Sequence, residues 1–298
     1  MVILSQLFTG VSIGAVLLLI ALGLSLTFGQ MGVINMAHGE FIMAGAYTTY
    51  VVQKVVTSAG ASLLVALPVA FLVAGLMGAL LEWLLIRRLY ARPLDTLLVT
   101  WGVALILQQL ARDVFGAPNK QVAAPSLLTG NVTLVTVGDD SLTISSNRLF
   151  ILVLAVLAVI SLSLVLRFTS LGRRIRAVVQ NRSLAAASGI PTGTVDRLTF
   201  FIGSGLAGIA GVALTLVQPI GPTMGTNIII DAFLVVVVGG IGHLKGTVIV
   251  AFALGVLQAM TEYSQGVSIA KVIVLAAIVA FLQWRPQGLF TLRTRSLA

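Results

Sequence analysis

Cysteine is absent from the 298-residue chain, which excludes disulfides, thiolate zinc sites, iron–sulfur clusters and a cysteine nucleophile. Charge is almost as scarce. Only 9% of the residues are Asp, Glu, Lys or Arg, against roughly 25% in a soluble domain, so a water-soluble fold of this length could not cover its exterior. The two histidines, His38 and His243, stand far apart in the chain and give no metal-ligand spacing.

Chemical motifs are missing too. No G-x-x-x-x-G-K-[ST] loop is present to cradle phosphates, and the glycine cluster Gly239–Gly246 does not fit that pattern. Gly203-Ser204-Gly205 is too tight for a G-x-S-x-G nucleophile elbow and lies within an apolar run. Acidic and histidine residues form no run resembling a proton relay. The chain therefore has no catalytic or energy-coupling site of its own, and uphill movement of a solute would need a partner to supply the energy.

What the sequence does have is apolar length: 58% hydrophobic residues and a mean hydropathy of +1.09. The protein belongs in a bilayer. Its net charge of +9 does not point to nucleic acid, because the basic residues fall in short segments between apolar runs, as cytoplasmic loops do. Nine candidate spans follow: Leu7–Phe28, Glu40–Val56, Ser62–Ile86, Leu94–Ala111, Arg148–Leu166, Leu198–Val217, Asn227–Gly240, Thr247–Glu262 and Ser268–Trp284. Asn227–Gly240 and Thr247–Glu262 are shorter than the ~20 helical residues of a full crossing, so the count is eight or nine. The first run lacks a basic n-region and is long enough to span, which predicts a retained helix and not a cleaved signal. The whole chain reads as one all-α transmembrane bundle with broken or short helices.

Arginine sets the orientation. The loop 167–197 carries Arg167, Arg173, Arg174, Arg176, Arg182 and Arg197 against the single acid Asp196; Arg87, Arg88 and Arg92 form a second basic loop, and Arg285, Arg293 and Arg295 lie in the tail. The positive-inside rule places all three in the cytoplasm. Parity then puts the N-terminus on the periplasmic side and the C-terminus inside. The loop of about 112–147 is external, and its Val132–Ile144 stretch, two β-branched runs around Gly138-Asp139-Asp140, predicts a hairpin. That hairpin either docks a partner or shields helix ends.

Polar residues inside apolar sequence mark the candidate path. Three glycines between Gly29 and Glu40 argue for a helix break that gathers Asn35, His38 and Glu40. An ionised carboxylate at a helix centre costs roughly 2.5–3.5 kcal/mol on insertion scales. Glu40 must then be paired, near a boundary, or face a cavity, and its two readings are a helix-dipole cap and a path-lining group. Glu82 reads as an interfacial partner of Arg87–Arg88, and Asp231, one turn after Asn227, as the start of the short seventh segment. GSGLAGIAG at Gly203–Gly211 has small-residue spacing for close helix packing, whereas Gly239-Gly240-Ile241-Gly242 interrupts an apolar run, as in broken helices that line a path.

Within the basic loop, Arg173–Ser188 predicts one amphipathic helix, stopped by Gly189 and Pro191. Its apolar and arginine faces suit either anionic lipid or a groove on a soluble subunit.

INMAHGE at Ile34–Glu40, QNRSLAAASGIPTG at Gln180–Gly193, DAFLVVVVGGIG at Asp231–Gly242 and RPQGLF at Arg285–Phe290 together resemble the permeases of branched-chain amino-acid-type ABC importers over nearly the whole chain. With WGVALILQQLARDVFGAP at Trp101–Pro118 and GAYTTYVVQ at Gly45–Gln53, the sequence looks most similar to the urea branch of that family. The resemblance implies a second, homologous permease, two cytoplasmic ATPases that hold the ATP and magnesium, and a periplasmic solute-binding protein. It implies an inner-membrane protein that moves urea or a short amide, with branched-chain or other amino acids as the alternative cargo. A stand-alone channel for small neutral solutes is the alternative of another class. Arg173, Arg174, Arg176, Gln180, Asn181, Arg182, Ala186, Gly189 and Ile190 match the region that couples to the ATPase, although Gln180-Asn181 stands where many relatives carry an acid. Asn35, His38, Glu40, Thr48, Gln108, Gln109, Asn227 and Asp231 are the candidate path residues.

Overall fold

The computed structural model describes residues 2–90, 92–137 and 140–290. In chain order its helices are α1 (Val2–Met31), α2 (His38–Val55), α3 (Ala59–Leu84), α4 (Pro93–Phe115), α5 (Ser146–Phe168), α6 (Ser170–Gln180), α7 (Arg182–Ala187), α8 (Thr192–Leu214), α9 (Met224–Gly239), α10 (Leu244–Gln265) and α11 (Val267–Trp284). Strands β1 (Asn131–Val137) and β2 (Asp140–Ser145) pair antiparallel between α4 and α5. This is the expected hairpin; Gly138 and Asp139 at its turn lie outside the described residues.

Among the described residues seven helices are long and apolar enough to cross a bilayer: α1, α3, α4, α5, α8, α10 and α11. Two others are not, α2 because its composition is too polar and α9 because it has only 16 residues. The expected short eighth span is corrected here, since α10 reaches 22 residues. Polar residues at its ends, Lys245 before the apolar run and Tyr263 to Gln265 after it, continue the helix past the hydrophobic segment.

The break between α1 and α2 has a local cause. Gly32 takes a positive φ of 63°, and the Asn35 side-chain oxygen accepts from the Ala37 amide at 3.0 Å, a turn that competes with helix. The Met36 amide, freed by the break, donates to Thr100 Oγ1 of α4 at 3.1 Å. A backbone group inside a membrane bundle needs such a protein partner because hydrocarbon offers none.

Helix α8 is the central post. It packs against α1, α2 and α3 through the glycine stripe, Gly208 lying against Gly45 of α2 and Gly211 against the Ile42 carbonyl. Helix α10 packs along α1. The basic segments meet at one end of the bundle: Tyr90, just after Arg87 and Arg88, contacts both Met31 at the end of α1 and Arg182 of α7. At the same end of α9, Leu289 donates to the Val238 carbonyl at 2.7 Å, so the tail folds back onto the Gly239–Gly242 break. Arg293 and Arg295 lie outside the described residues. The opposite end holds the start of α1, where Ser5, Phe8 and Thr9 share a recess with Asn131, Thr143 and Arg148.

The basic loop departs from the expected single helix. It forms two, α6 and α7, separated at Asn181, which is extended (φ −159°, ψ 107°). Asn181 Oδ1 accepts from the Leu184 amide at 2.9 Å, so the residue caps a new helix in place of continuing the old one. The predicted stop holds: Gly189 has φ +80°.

Candidate functional site

The first turn of α2 and the first turn of α9 meet inside the bundle. Gly39 and Gly225 are the contact, and a Cβ on Gly39 would lie 2.5 Å from the Gly225 carbonyl oxygen. Only paired glycines bring the two N-terminal turns this close. In the α2 turn the His38 and Glu40 amides donate to the Asn35 and Ala37 carbonyls, and each turn carries the positive end of a helix dipole.

Glu40 sits in that junction with no exposed surface. Its Oε1 accepts from Gln108 Nε2 of α4 at 2.9 Å and from Thr226 Oγ1 of α9 at 3.2 Å. Gln108 also reaches Thr226 Oγ1 at 2.6 Å. The triad ties α2, α4 and α9 together, and Thr226 forms its exposed edge. Glu40 Oε2 is buried without a hydrogen-bond partner. Glu40 therefore lies in a helix first turn, where the dipole-cap reading puts it, with one oxygen unpaired.

Truncating Gln108 to alanine removes one of the two donors to this carboxylate. Losing a partner of a buried polar group costs about 1–3 kcal/mol, more when it is charged. The purified variant is expected to unfold at a lower temperature than wild type in a thermal melt, whereas an equal Tm would mean that the bond carries no weight.

The other path candidates scatter. Thr48 lies beside an apolar cleft on α2. Asn35 is buried and shapes the break. His38 is buried on another side of α2, its Nε2 3.4 Å from the Ile20 carbonyl of α1. Gln109 points away from the triad and donates to Asp113 at 2.9 Å. Asn227 is exposed in the first turn of α9. Asp231 does not start a segment, because α9 begins seven residues earlier at Met224, and the aspartate is half-buried in mid-helix. Thr226 escaped sequence reading; its signal was a hydroxyl at the head of an apolar run, in the first turn of a helix.

At the basic end a second cluster forms. Tyr90 donates to Glu82 Oε1 at 2.7 Å, Arg197 Nε lies 3.7 Å from Glu82 Oε2, and Arg182 pairs with the buried Asp196. The Arg182 guanidinium also lies over the Tyr90 ring, 4.6 Å from its centroid. Glu82 is thus joined to Tyr90 and Arg197 rather than to Arg87–Arg88 as expected; it is 1% exposed, facing the α8 side and not the lipid boundary. Burial, then the negative charges of Asp196 and Glu82, push the Tyr90 phenol above its ordinary range, so it stays a proton donor. The expected coupling residues Arg173, Arg174, Arg176, Gln180, Asn181, Arg182, Ala186 and Gly189 are exposed on α6, α7 and their ends, and Ile190 is half-buried.

A bundle of spanning helices, with the first turns of α2 and α9 meeting in its core and a basic helical segment bolted to one end, is the architecture of a multi-pass membrane protein. The chain belongs to the family described as branched-chain amino acid transport system / permease component, whose pattern matches residues 6–282. It is 32% identical to the high-affinity branched-chain amino acid transport system permease protein LivH of Salmonella typhimurium, over 93% of each chain. It is 29% identical to the permease protein BraD of Pseudomonas aeruginosa over 96% of this chain and 95% of that one. The permease protein LivM of Escherichia coli K12 matches as well, at 27% identity over 91% of this chain and 67% of LivM. No solved structure matches the chain. The protein is accordingly a multi-pass inner-membrane permease component and not an enzyme.

Proposed function

We propose that this chain is one of a pair of permease subunits in an ABC importer that carries branched-chain amino acids into the cell. The observation that carries the reading is the whole-length match to permeases of that cargo. These relatives favour the amino-acid expectation over urea. Because the chain matches both LivH and LivM, its partner permease is a second, related chain. Two cytoplasmic ATPases, which hold ATP and magnesium, drive the cycle, and a periplasmic binding protein delivers the cargo.

The basic end of the bundle supports the expected orientation and coupling. An excess of arginine is the usual mark of a cytoplasmic face and supports a periplasmic side for the start of α1 and the β1–β2 hairpin. Helix α7 presents Ser183, Leu184, Ala186 and Ala187 to solvent, small and apolar groups suited to a groove on the ATPase.

The test is uptake of labelled leucine and labelled urea by cells expressing the whole importer, with and without its ATPase. ATPase-dependent uptake of leucine and not of urea is the expected result; urea as the cargo, or leucine flux through this chain alone, overturns the reading. A companion variant is Gly189→Trp. No neighbour obstructs a side chain there, but φ is +80°, a conformation that costs an L-residue roughly 1–2 kcal/mol. Its uptake is expected to fall about tenfold or more, the equivalent of at least about 1.4 kcal/mol, with normal protein in the membrane.

A further inference from the structure

We infer that the face formed by α4, α9 and α11 is the seam against the second permease subunit, which brings amide, acidic and basic side chains to meet Gln109, Thr226, Asn227, Asp231 and Lys271. The inference rests on the pairing of permeases proposed above and adds which side of this chain the partner covers.

Other parts of the exterior suit lipid. Helices α3 and α5 turn Leu64, Leu72, Leu76, Val153, Leu157 and Ile160 outward, and carry no charged or amide side chain from Ala59 to Leu81 or from Leu149 to Leu166. The cleft between α2, α3 and α4 is lined almost wholly by apolar side chains. The α9 side is different. Its first turn exposes Thr226 and Asn227, and the exposed Ile230 and half-buried Asp231 continue that stripe one turn on. Gln108 of α4 reaches Thr226, and the residue after it, Gln109, is exposed. Helix α11 packs on α9 and exposes Lys271, whose charge acts on Asp231.

Asp231 stands two turns from either end of α9. That is about 10 Å along the helix, beyond the reach of a carboxylate, so it has no route to a membrane surface. Among the described residues no ion pair within 4 Å includes Asp231 or Lys271. Ionisable groups within a membrane bundle face protein or a wet cavity because lipid penalises them. A related chain meets that need. Two similar subunits meet about a two-fold axis, so a patch on one meets the corresponding patch on the other. This patch holds both signs of charge, Asp231 and Lys271, together with two amides and a hydroxyl, and is therefore complementary to a face of its own pattern. Hydrogen bonds between such side chains join helices in lipid. An acyl chain would leave each of these groups without a partner.

The test is photocross-linking in the whole importer. Ile230→p-benzoylphenylalanine places a photoreactive group on the α9 stripe, and Leu72→p-benzoylphenylalanine places one on α3 as the control. The two native side chains are similarly exposed, 57% and 51%, so access does not separate them. On irradiation the Ile230 variant is expected to join the second permease at least fivefold more than the control, with the product identified by mass spectrometry. Asn227→Leu removes an exposed amide that makes no side-chain hydrogen bond among the described residues. It is expected to lower the second permease recovered with this chain at least threefold, at an unchanged amount of this chain in the membrane. Leucine in place of a lipid-facing amide would cause no such loss, and that result overturns the assignment. Adducts of the Ile230 probe with lipid alone or with a second copy of this chain overturn it too, as does equal cross-linking from α3. If the wild-type chain retains no second permease at all, the pairing proposed above fails and takes this face with it.

Discussion

Replacing Gly45 with leucine is expected to leave little or no folded permease in the membrane. At this position α2 crosses α8, and a Cβ would lie 2.1 Å from the Gly208 carbonyl oxygen and 2.6 Å from the Gly208 Cα. Both obstacles are backbone, so no side chain can rotate away. Gly211 repeats the contact one turn further, where a Cβ would meet the Ile42 oxygen at 2.0 Å. Overpacking in an ordinary core costs typically 1–3 kcal/mol, and here the whole crossing must separate in a protein with about 5–15 kcal/mol in total. Helices in lipid associate through close packing and not through a hydrophobic drive, so little else holds α2 against α8. The measurement is the monodisperse fraction after detergent extraction. Gly102→Leu is the control, because nothing lies within 4 Å of a Cβ there, and it is expected to behave as wild type. Equal recovery of both variants would show that the crossing tolerates separation.

The second large effect is expected at Asp196. Asp196→Ala removes the counter-charge of Arg182 at the root of α8; Asp196 is buried but the Arg182 side chain is 42% exposed, so water offsets part of the loss and the cost falls below the about 3–5 kcal/mol of a fully buried pair. Arg182, Tyr90, Glu82 and Arg197 would all lose their registration, because each touches the next. On the coupling proposed for α7, the consequence is motion that no longer reaches α3 and α8. Uptake is expected to drop more than tenfold while the ATPase remains bound and hydrolyses ATP. Tyr90→Phe, which keeps the ring beneath Arg182 but loses the donor to Glu82, is expected to fall between that variant and wild type. Exchanging the pair, Arg182→Asp with Asp196→Arg, should recover part of the uptake. Equal losses of ATPase binding and transport would mean that the cluster only holds the fold.

The bundle was legible because apolar runs of this length have few other homes, and so was the break before α2, where glycines and an asparagine compete with helix. The hairpin was legible from alternation. The split of α6 from α7 was not, since helix formers run through Arg173–Ser188 and only the cap chosen by Asn181 interrupts them. The candidate site was half visible. Glu40 and Gln108 stood out as polar groups in apolar surroundings, but Thr226 became relevant only when α9 turned its first turn toward α2, a tertiary event with no local trace. Glu82 was noticed with the wrong neighbours, because proximity in sequence to Arg87 and Arg88 says nothing of the fold that brings Tyr90 and Arg197 to it. His38 and Gln109 had the right chemistry and the wrong direction. Helical spacing separates each from the triad by a fraction of a turn.

The joint at Asn181 divides the basic end of the bundle between two short rods. The first carries the exposed Arg173, Arg174 and Arg176, while the second is tied to α8 through Arg182 and Asp196. Their buried sides close over one small core, Ile175 and Val178 of the first with Ala185 of the second and Val195 of α8, so a push on the second rod is passed to the first.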